Sequence, residues 1–410
     1  MKRIIALAVV VLAVALSFYS CSQKKAAPVA KVPVTIQLWT QESESEGSLQ
    51  LIKKMAAAFM AANQGITIEV VQKETEVLRE DFQTASLAGS APQLLWTVSD
   101  HAGPFTAADL IRPVDDVVKT ADFVASVVMN GKTWAVPISS GNHLMLQFNK
   151  KFVAAAPKDT DEMIKVAKDL QASGKVQYGL VYNQIEPFWL APWLGGFGGK
   201  VFAADGITPT LNTPEMVNTL KFMADLKNVH KIVPVECDYN AADTLFKEGK
   251  AAMIINGDWS LGDYSKLLGA DHGVAPIPMV KSTGKWPAPY TSGKYFMIAK
   301  DVDAAELAAI KGFIAYVTSY DNQVALVKEL KRLPGLKKAL TDAAITGDVI
   351  LKGSSEQMSK GTPMPTVIEM RANWDAMKPE QNKVLAGSVS PADAAKNMQA
   401  AAEAGVKALK

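Results

Sequence analysis

Val34, Ile36 and Leu38 alternate with Thr35 and Gln37, the two-residue period of a half-buried strand. A Glu/Ser loop carrying Glu42, Glu44 and Glu46 follows and closes at Gly47-Ser48. Leu49, Ile52, Met55, Ala56, Phe59 and Met60 then recur at helical spacing until Asn63-Gln64-Gly65. Ile66, Ile68 and Val70 alternate again, so the first forty residues of this pattern predict a β-α-β unit. Such a unit implies a parallel sheet with a right-handed crossover.

The rhythm continues with short apolar strands predicted at Leu94–Thr97, Trp134–Pro137, Leu144–Phe148, Tyr178–Tyr182, Ala251–Ile255 and Tyr295–Ala299. Between them lie amphipathic helices with recognisable starts. Asp159 with Glu162 reads as a capping box, and Thr213-Pro214 as an N-cap followed by proline at the first helical position. Beyond Ala299 the pattern is almost wholly helical, and a last helix is expected after Ser390-Pro391. Alternating strands and helices place the chain in the α/β class. No repeat of 20–50 residues is visible.

Ahead of the first strand the composition changes. Lys2-Arg3 precedes an aliphatic run of 13 residues from Ile4 to Leu16, too short to span a bilayer but laid out as a secretory signal peptide over 1–20. Cys21, after the small residue Ser20, stands where a bacterial lipoprotein is cleaved and acylated, although Phe18-Tyr19 makes the preceding motif a loose one. Residues 21–31 read as a lipidated tether. Without the leader, basic and acidic residues number 41 each, so there is no electrostatic footprint for nucleic acid. Cys237 is the one other cysteine, which leaves no internal disulfide if Cys21 is lipidated. Roughly 390 remaining residues exceed one ordinary core, and two domains are expected.

Signals for an enzyme are weak. The four histidines are scattered without zinc-ligand spacing. Gly195–Lys200 superficially resembles a phosphate loop, but Val201 stands where a magnesium-binding hydroxyl is required, and the stretch is read as a turn before a strand. Neither a metal nor a cofactor is implied. The stronger pattern is acids beside aromatics just past predicted strands: Asp100; Glu186-Pro187-Phe188-Trp189; and Asp258-Trp259, with Trp374 on a later helix. In open α/β sheets ligands bind outside the carboxyl ends of strands. Carboxylates accept paired hydroxyl hydrogen bonds and flat rings cover the C–H faces of pyranoses, so a carbohydrate suits the set. The plainer reading, each Trp a core residue and each acid a cap, stays open on composition alone.

Four segments carry a family resemblance. Asn183–Phe188 resembles an N-x-x-E-P-Y loop, and Phe246–Trp259 resembles an F-x-x-G-x-x-A-M-x-I-N-G-x-W run. Lys360–Pro365 followed by Trp374 is similar to a K-G-x-x-M-P…W helix, and Pro137-Ile138 with Phe148-Asn149-Lys150 to a P-I…Y-N-K stretch. These belong to the maltose/maltodextrin-binding proteins of ABC importers, and the match runs in register from about Val34 to Lys410. The resemblance implies the two-lobed periplasmic-binding-protein fold: two α/β domains joined by a multi-strand hinge, with the ligand in the cleft. The first lobe would comprise 32–140 plus 294–338 and the second 141–293 plus 339–410. It implies no enzyme but an exported, membrane-anchored monomer. That protein would deliver a sugar, maltose or a malto-oligosaccharide, to an ABC importer permease.

Carried over residue by residue, Glu186 would bind sugar hydroxyls, Trp259 and Trp374 would stack on successive rings, and Asp100 would bind hydroxyls from the first lobe. Met364 would line the cleft, and Glu42 or Glu44 would fill an acidic loop position. Departures accompany these matches. Phe188 replaces a stacking Tyr, His101 an Arg, Thr97 a Trp, Lys378 an Arg, and Asn142 or Gly141 a Glu in the crossing segment. Two rival readings remain: a glycoside hydrolase, for which Asp100 and Glu186 on opposite lobes would be poorly placed, and a binder of polyamine or another non-sugar ligand on the same fold.

Overall fold

The computed structural model describes residues 33–124 and 126–409; the leader, Cys21 and the tether lie outside the described residues. In chain order the strands are β1 (Val34–Thr40), β2 (Ile66–Gln72), β3 (Leu94–Val98), β4 (Val127–Met129), β5 (Lys132–Gly141) and β6 (Leu144–Asn149). They continue with β7 (Tyr178–Tyr182), β8 (Ala251–Gly257), β9 (His272–Ala275), β10 (Tyr290–Ile298), β11 (Leu333–Pro334) and β12 (Thr362–Pro363). The first sheet has the order β11-β5-β10-β3-β1-β2, with β4 on β5 and β12 on β10; the second is β7-β8-β6-β9.

The predicted β-α-β unit is present: β1 pairs in parallel with β2 on one side, Ile36 opposite Ile68, and with β3 on the other, Leu38 opposite Leu94. Alternation sorts the first sheet's side chains onto two faces. Ile36, Leu38, Leu94, Trp96, Phe296 and Ile298 pack with Ile52, Phe59 and Phe313 of flanking helices. Leu95, Tyr295 and Met297 pack on the opposite face with Leu78, Phe82 and Phe105. A sheet covered on both faces needs apolar residues at successive positions, which is why β3 reads as the unbroken run Leu-Leu-Trp.

The second sheet is built the same way. Leu146, Leu180, Tyr182, Met253 and Ile255 meet Met163, Met223, Met377 and Met398 from helices Thr160–Ala172, Pro214–Asn228, Glu369–Leu385 and Pro391–Ala408. Val181 and Ile254 face the other way, toward Phe246, Tyr264 and Cys237. The chain passes between the sheets after β5, after β9, and after β11, where helix Val349–Met358 sets Ile350 beside Met145 of β6.

Local signals hold at several helix starts. Thr213 Oγ1 accepts from Met216 N at 3.2 Å, and Ser390 Oγ accepts from Asp393 N at 3.1 Å. Asp159 Oδ1 accepts from Glu162 N at 3.0 Å, but the Glu162 carboxylate returns its bond to Lys158 N rather than to Asp159, so the box is offset by one residue. Two expectations change, and one helix holds a proline in its interior. Gly195–Gly199 ends helix Ala191–Phe197, with Gly198 in the left-handed region at φ 93°, and does not lead into a regular strand. β10 starts at Tyr290, five residues earlier than its apolar run suggests, and a bulge lies between Lys294 and Tyr295. Helix Glu369–Leu385 runs through Pro379 without stopping.

Candidate functional site

The site residues stand at the ends of strands from both sheets. From the first come the loop after β1, carrying Gln41 to Glu46, and the short turn Ser99–His101 after β3. From the second come the loop after β7, which holds Glu186 and Phe188, and the turn Asp258–Ser260 after β8. Helix Glu369–Leu385 brings Trp374.

Backbone-directed bonds fix the β7 loop. Asn183 Oδ1 accepts from Ile185 N at 3.2 Å, and Gln381 Nε2 donates to the Gln184 carbonyl at 2.6 Å. The Trp189 indole donates to the Ile255 carbonyl at 2.8 Å, tying this loop to β8. What remains half-buried is a group of rings. Phe188 lies 6.2 Å from Trp259 and 6.5 Å from Trp374, centroid to centroid, and Tyr290 meets Trp374 edge-on at 5.9 Å. Gly257 seats the Trp259 ring: a Cβ there would fall 2.2 Å from the indole. The tilted and edge-on geometry suits aromatic packing and leaves ring faces partly uncovered.

Acids border the rings. Glu186 pairs with Lys378 at 2.5 Å. Asp100, partly accessible, accepts a hydrogen bond from the Trp374 indole; burial, helped by the nearby Glu76 charge, lifts its carboxyl to about 6. Met364 is half-buried against the second core, and its amide donates to the Thr291 carbonyl at 2.9 Å. Trp374 thus meets Asp100, Phe188 and Tyr290, and Phe188 in turn meets Trp259. His101 is buried with one ring nitrogen 2.8 Å from Thr97 Oγ1, and burial drives its imidazole down to about 4. Asn142 sits in the first crossing at φ 44°, where its amide donates to Asp258 Oδ2 at 3.0 Å. Gly141 beside it has φ 124°, and a Cβ would meet that same carboxylate oxygen at 2.5 Å, so only glycine fits the turn.

The glutamate loop divides by role in a way its spacing does not show. Glu44 is exposed and meets Lys53 at 3.5 Å. Glu42 is buried with Arg332 at 2.6 Å. Burial opposes its ionisation, but the Arg332 and Lys294 charges and two hydrogen bonds outweigh that and hold its carboxyl below the usual range. Glu46, absent from the expected site set, reaches Tyr239 Oη at 2.8 Å, and that oxygen in turn accepts from Trp259 Nε1 at 3.0 Å.

Lys294 and Arg332 were also missed. Lys294 Nζ lies 5.5 Å over the Trp259 ring. It also donates to Gln41 at 3.0 Å once that amide is turned to suit its neighbours. The β10 bulge re-aims this side chain, and no local pattern announces it. A last bridge, Arg371 to Glu76, joins helix Glu369–Leu385 to helix Thr75–Leu87. The arrangement offers flat apolar faces, carboxylates and two cations between the sheets; among the described residues no acid, histidine and cysteine cluster could hold a metal.

Comparison with known proteins extends this picture. Residues 54–353 match the bacterial extracellular solute-binding protein family. The maltose/maltodextrin-binding domain MalE of Bdellovibrio bacteriovorus, solved with maltotriose, is 39% identical with a TM-score of 0.86, over 91% of this chain and 100% of that one. A maltotriose-binding protein of Pyrococcus abyssi is 27% identical over 85% of this chain and 77% of its own length. A maltooligosaccharide ABC transporter solute-binding lipoprotein of Streptococcus pneumoniae is 25% identical over 81% of this chain and 80% of its own.

Proposed function

The chain belongs to the bacterial extracellular solute-binding protein family, and from that premise we propose that it captures a malto-oligosaccharide outside the cytoplasm and hands it to an ABC importer. The observation that carries the reading is the Phe188–Trp259–Trp374 ring group, bordered by Glu186 from one sheet's loops and Asp100 from the other's. Rings would stack on successive pyranoses, and Asp100 and Glu186 would accept sugar hydroxyls from opposite sides. Glu186 would exchange part of its contact with Lys378 for the ligand.

In this reading the lobes are 32–140 plus 294–338 and 141–293 plus 339–410, and they rotate about the crossing strands to enclose the sugar. Ligand favours the closed form only so far as it binds that form better. Affinity of about micromolar, roughly −8 kcal/mol, would let the sugar be released to the permease. Titrating maltose, maltotriose, trehalose and putrescine while following Trp fluorescence and melting temperature tests it. Maltotriose is expected to change the emission and raise the melting temperature without being cleaved. A response to putrescine alone, or release of smaller sugars, would overturn the reading.

Export and anchoring belong to the same proposal, with the chain working as a monomer. The Lys2-Arg3 head, the aliphatic run and Ser20-Cys21 support cleavage before Cys21 and acylation of its thiol. Mass spectrometry of the membrane-extracted protein should find an N-terminal, lipid-bearing Cys21. An unmodified N-terminus at another residue would remove the anchor and leave the binding function standing.

A further inference from the structure

We propose that Glu46 is a positioning residue for the ring site: it reaches across from the first-sheet loop to Tyr239 and, through that phenol, holds the Trp259 indole when the lobes close. The inference rests on the sugar-site reading above and adds to it a contact that forms and breaks with closure.

While Glu46 is ionised the bonds run in one direction only. An indole N–H can only donate, a phenol donates and accepts, and a carboxylate accepts. Trp259 Nε1 therefore donates to Tyr239 Oη at 3.0 Å, and Tyr239 donates to Glu46 Oε1 at 2.8 Å. Trp259 and Tyr239 belong to elements packed on the second sheet, whereas Glu46 follows β1 of the first. A second strap crosses beside the first, Lys247 Nζ donating to the Ser45 carbonyl at 3.3 Å. When the lobes part, both bonds must be surrendered to water, and the indole loses its fixed partner.

Closure also buries the carboxyl of Glu46, and the groups around it decide the consequence. Arg332 stands 3.5 Å away, Glu42 lies on the same loop, Lys294 comes from β10, and Tyr239 faces it from the second sheet's side. Lys247 is already paired with Asp243 and Asp263. Burial raises the Glu46 carboxyl to about 7; Arg332, the Tyr239 bond and Lys294 pull it down, and Glu42 pushes it up. An opened loop would return Glu46 toward the ordinary carboxylate value, so closing takes up a proton. A group whose value is raised in the closed form favours that form at low pH, and the advantage is lost as pH rises through about 7.

The test is maltotriose affinity between pH 6 and 8 for the wild type, Glu46→Gln and Tyr239→Phe, with melting curves confirming that each variant is folded. Wild-type affinity is expected to fall roughly tenfold across this window. Glu46→Gln keeps an acceptor for the phenol but cannot titrate. It should change by about twofold at most, the share left to Asp100 with its carboxyl near 6. Tyr239→Phe breaks the chain of bonds without changing charge and should bind roughly fivefold more weakly at pH 6. A Glu46→Gln variant with the full wild-type fall, a wild type with no fall, or Tyr239→Phe binding as well as wild type would each overturn the relay while leaving the sugar site intact. Absence of maltotriose binding by the wild type at every pH would instead sink the sugar reading and this inference with it.

Discussion

Trp259→Ala is expected to weaken maltotriose binding by roughly 30- to 1,000-fold, the effect of losing about 2–4 kcal/mol at a buried aromatic anchor. An aromatic of this size buries 150–250 Å2 of surface as a rule, and Trp259 meets the Phe188 and Trp189 rings, the Tyr239 phenol and the Lys294 ammonium at once. Trp259→Phe should retain part of the affinity, because a ring face remains while the indole N–H is lost. Gly257→Ala probes the same seat from below: its methyl would occupy the place of the indole and shift it. Calorimetric titration of the three variants should rank them Phe above Ala at 259, with Gly257→Ala also impaired. Near-wild-type affinity for Trp259→Ala would remove the ring from the site.

Arg332→Met is expected to cost roughly 3–5 kcal/mol of stability, read as a lower urea midpoint, because it strips the buried Glu42 carboxylate of its hydrogen-bonded counter-charge and leaves only the Lys294 ammonium nearby. Arg332 is 2% exposed and Glu42 1%. Their pairing is imperfect: Glu42 Oε1 and Arg332 Nε have no hydrogen-bond partner among the described residues. A buried pair in that condition holds a geometry rather than adding net stability. The double variant Arg332→Met with Glu42→Leu should therefore recover much of the loss, and a double variant as unstable as the single one would contradict this account. The pH dependence has the opposite sign to that of Glu46. Glu42 is held below the usual carboxylate range, so its contribution is present at neutral pH and is lost as pH falls through that lowered value.

How much of this was legible in the sequence varies with the range of the interactions concerned. The strands β1, β2, β3, β6, β7 and β8 appear close to where alternation and apolar runs put them. Caps at Thr213 and Ser390 act through atoms three residues away. The placing of Trp259 after β8 and Glu186 after β7 was equally visible, because both follow a strand whose end the pattern marks. In contrast, the capping box at Asp303 and Glu306 escaped notice, although both of its bonds span three residues.

Long-range choices were not legible. Three glutamates at alternate positions look alike in sequence, yet one faces solvent, one meets Arg332 from 290 residues away, and one crosses to Tyr239, 193 residues away. Lys294 lies just ahead of the predicted apolar strand, and only the bulge against β5 turns it toward Trp259. Pro379 should end a helix, but the packing of Met377, Gln381 and Val384 into the second core carries the helix through it. By itself the sequence determined the α/β alternation and the positions of Glu186, Trp259 and Trp374 beside it, since periodicity, caps and turn residues act between neighbours. Only the tertiary structure decided which acid, cation and phenol join those rings, because such partners are selected by the meeting of two sheets and by how far each charge is withdrawn from water.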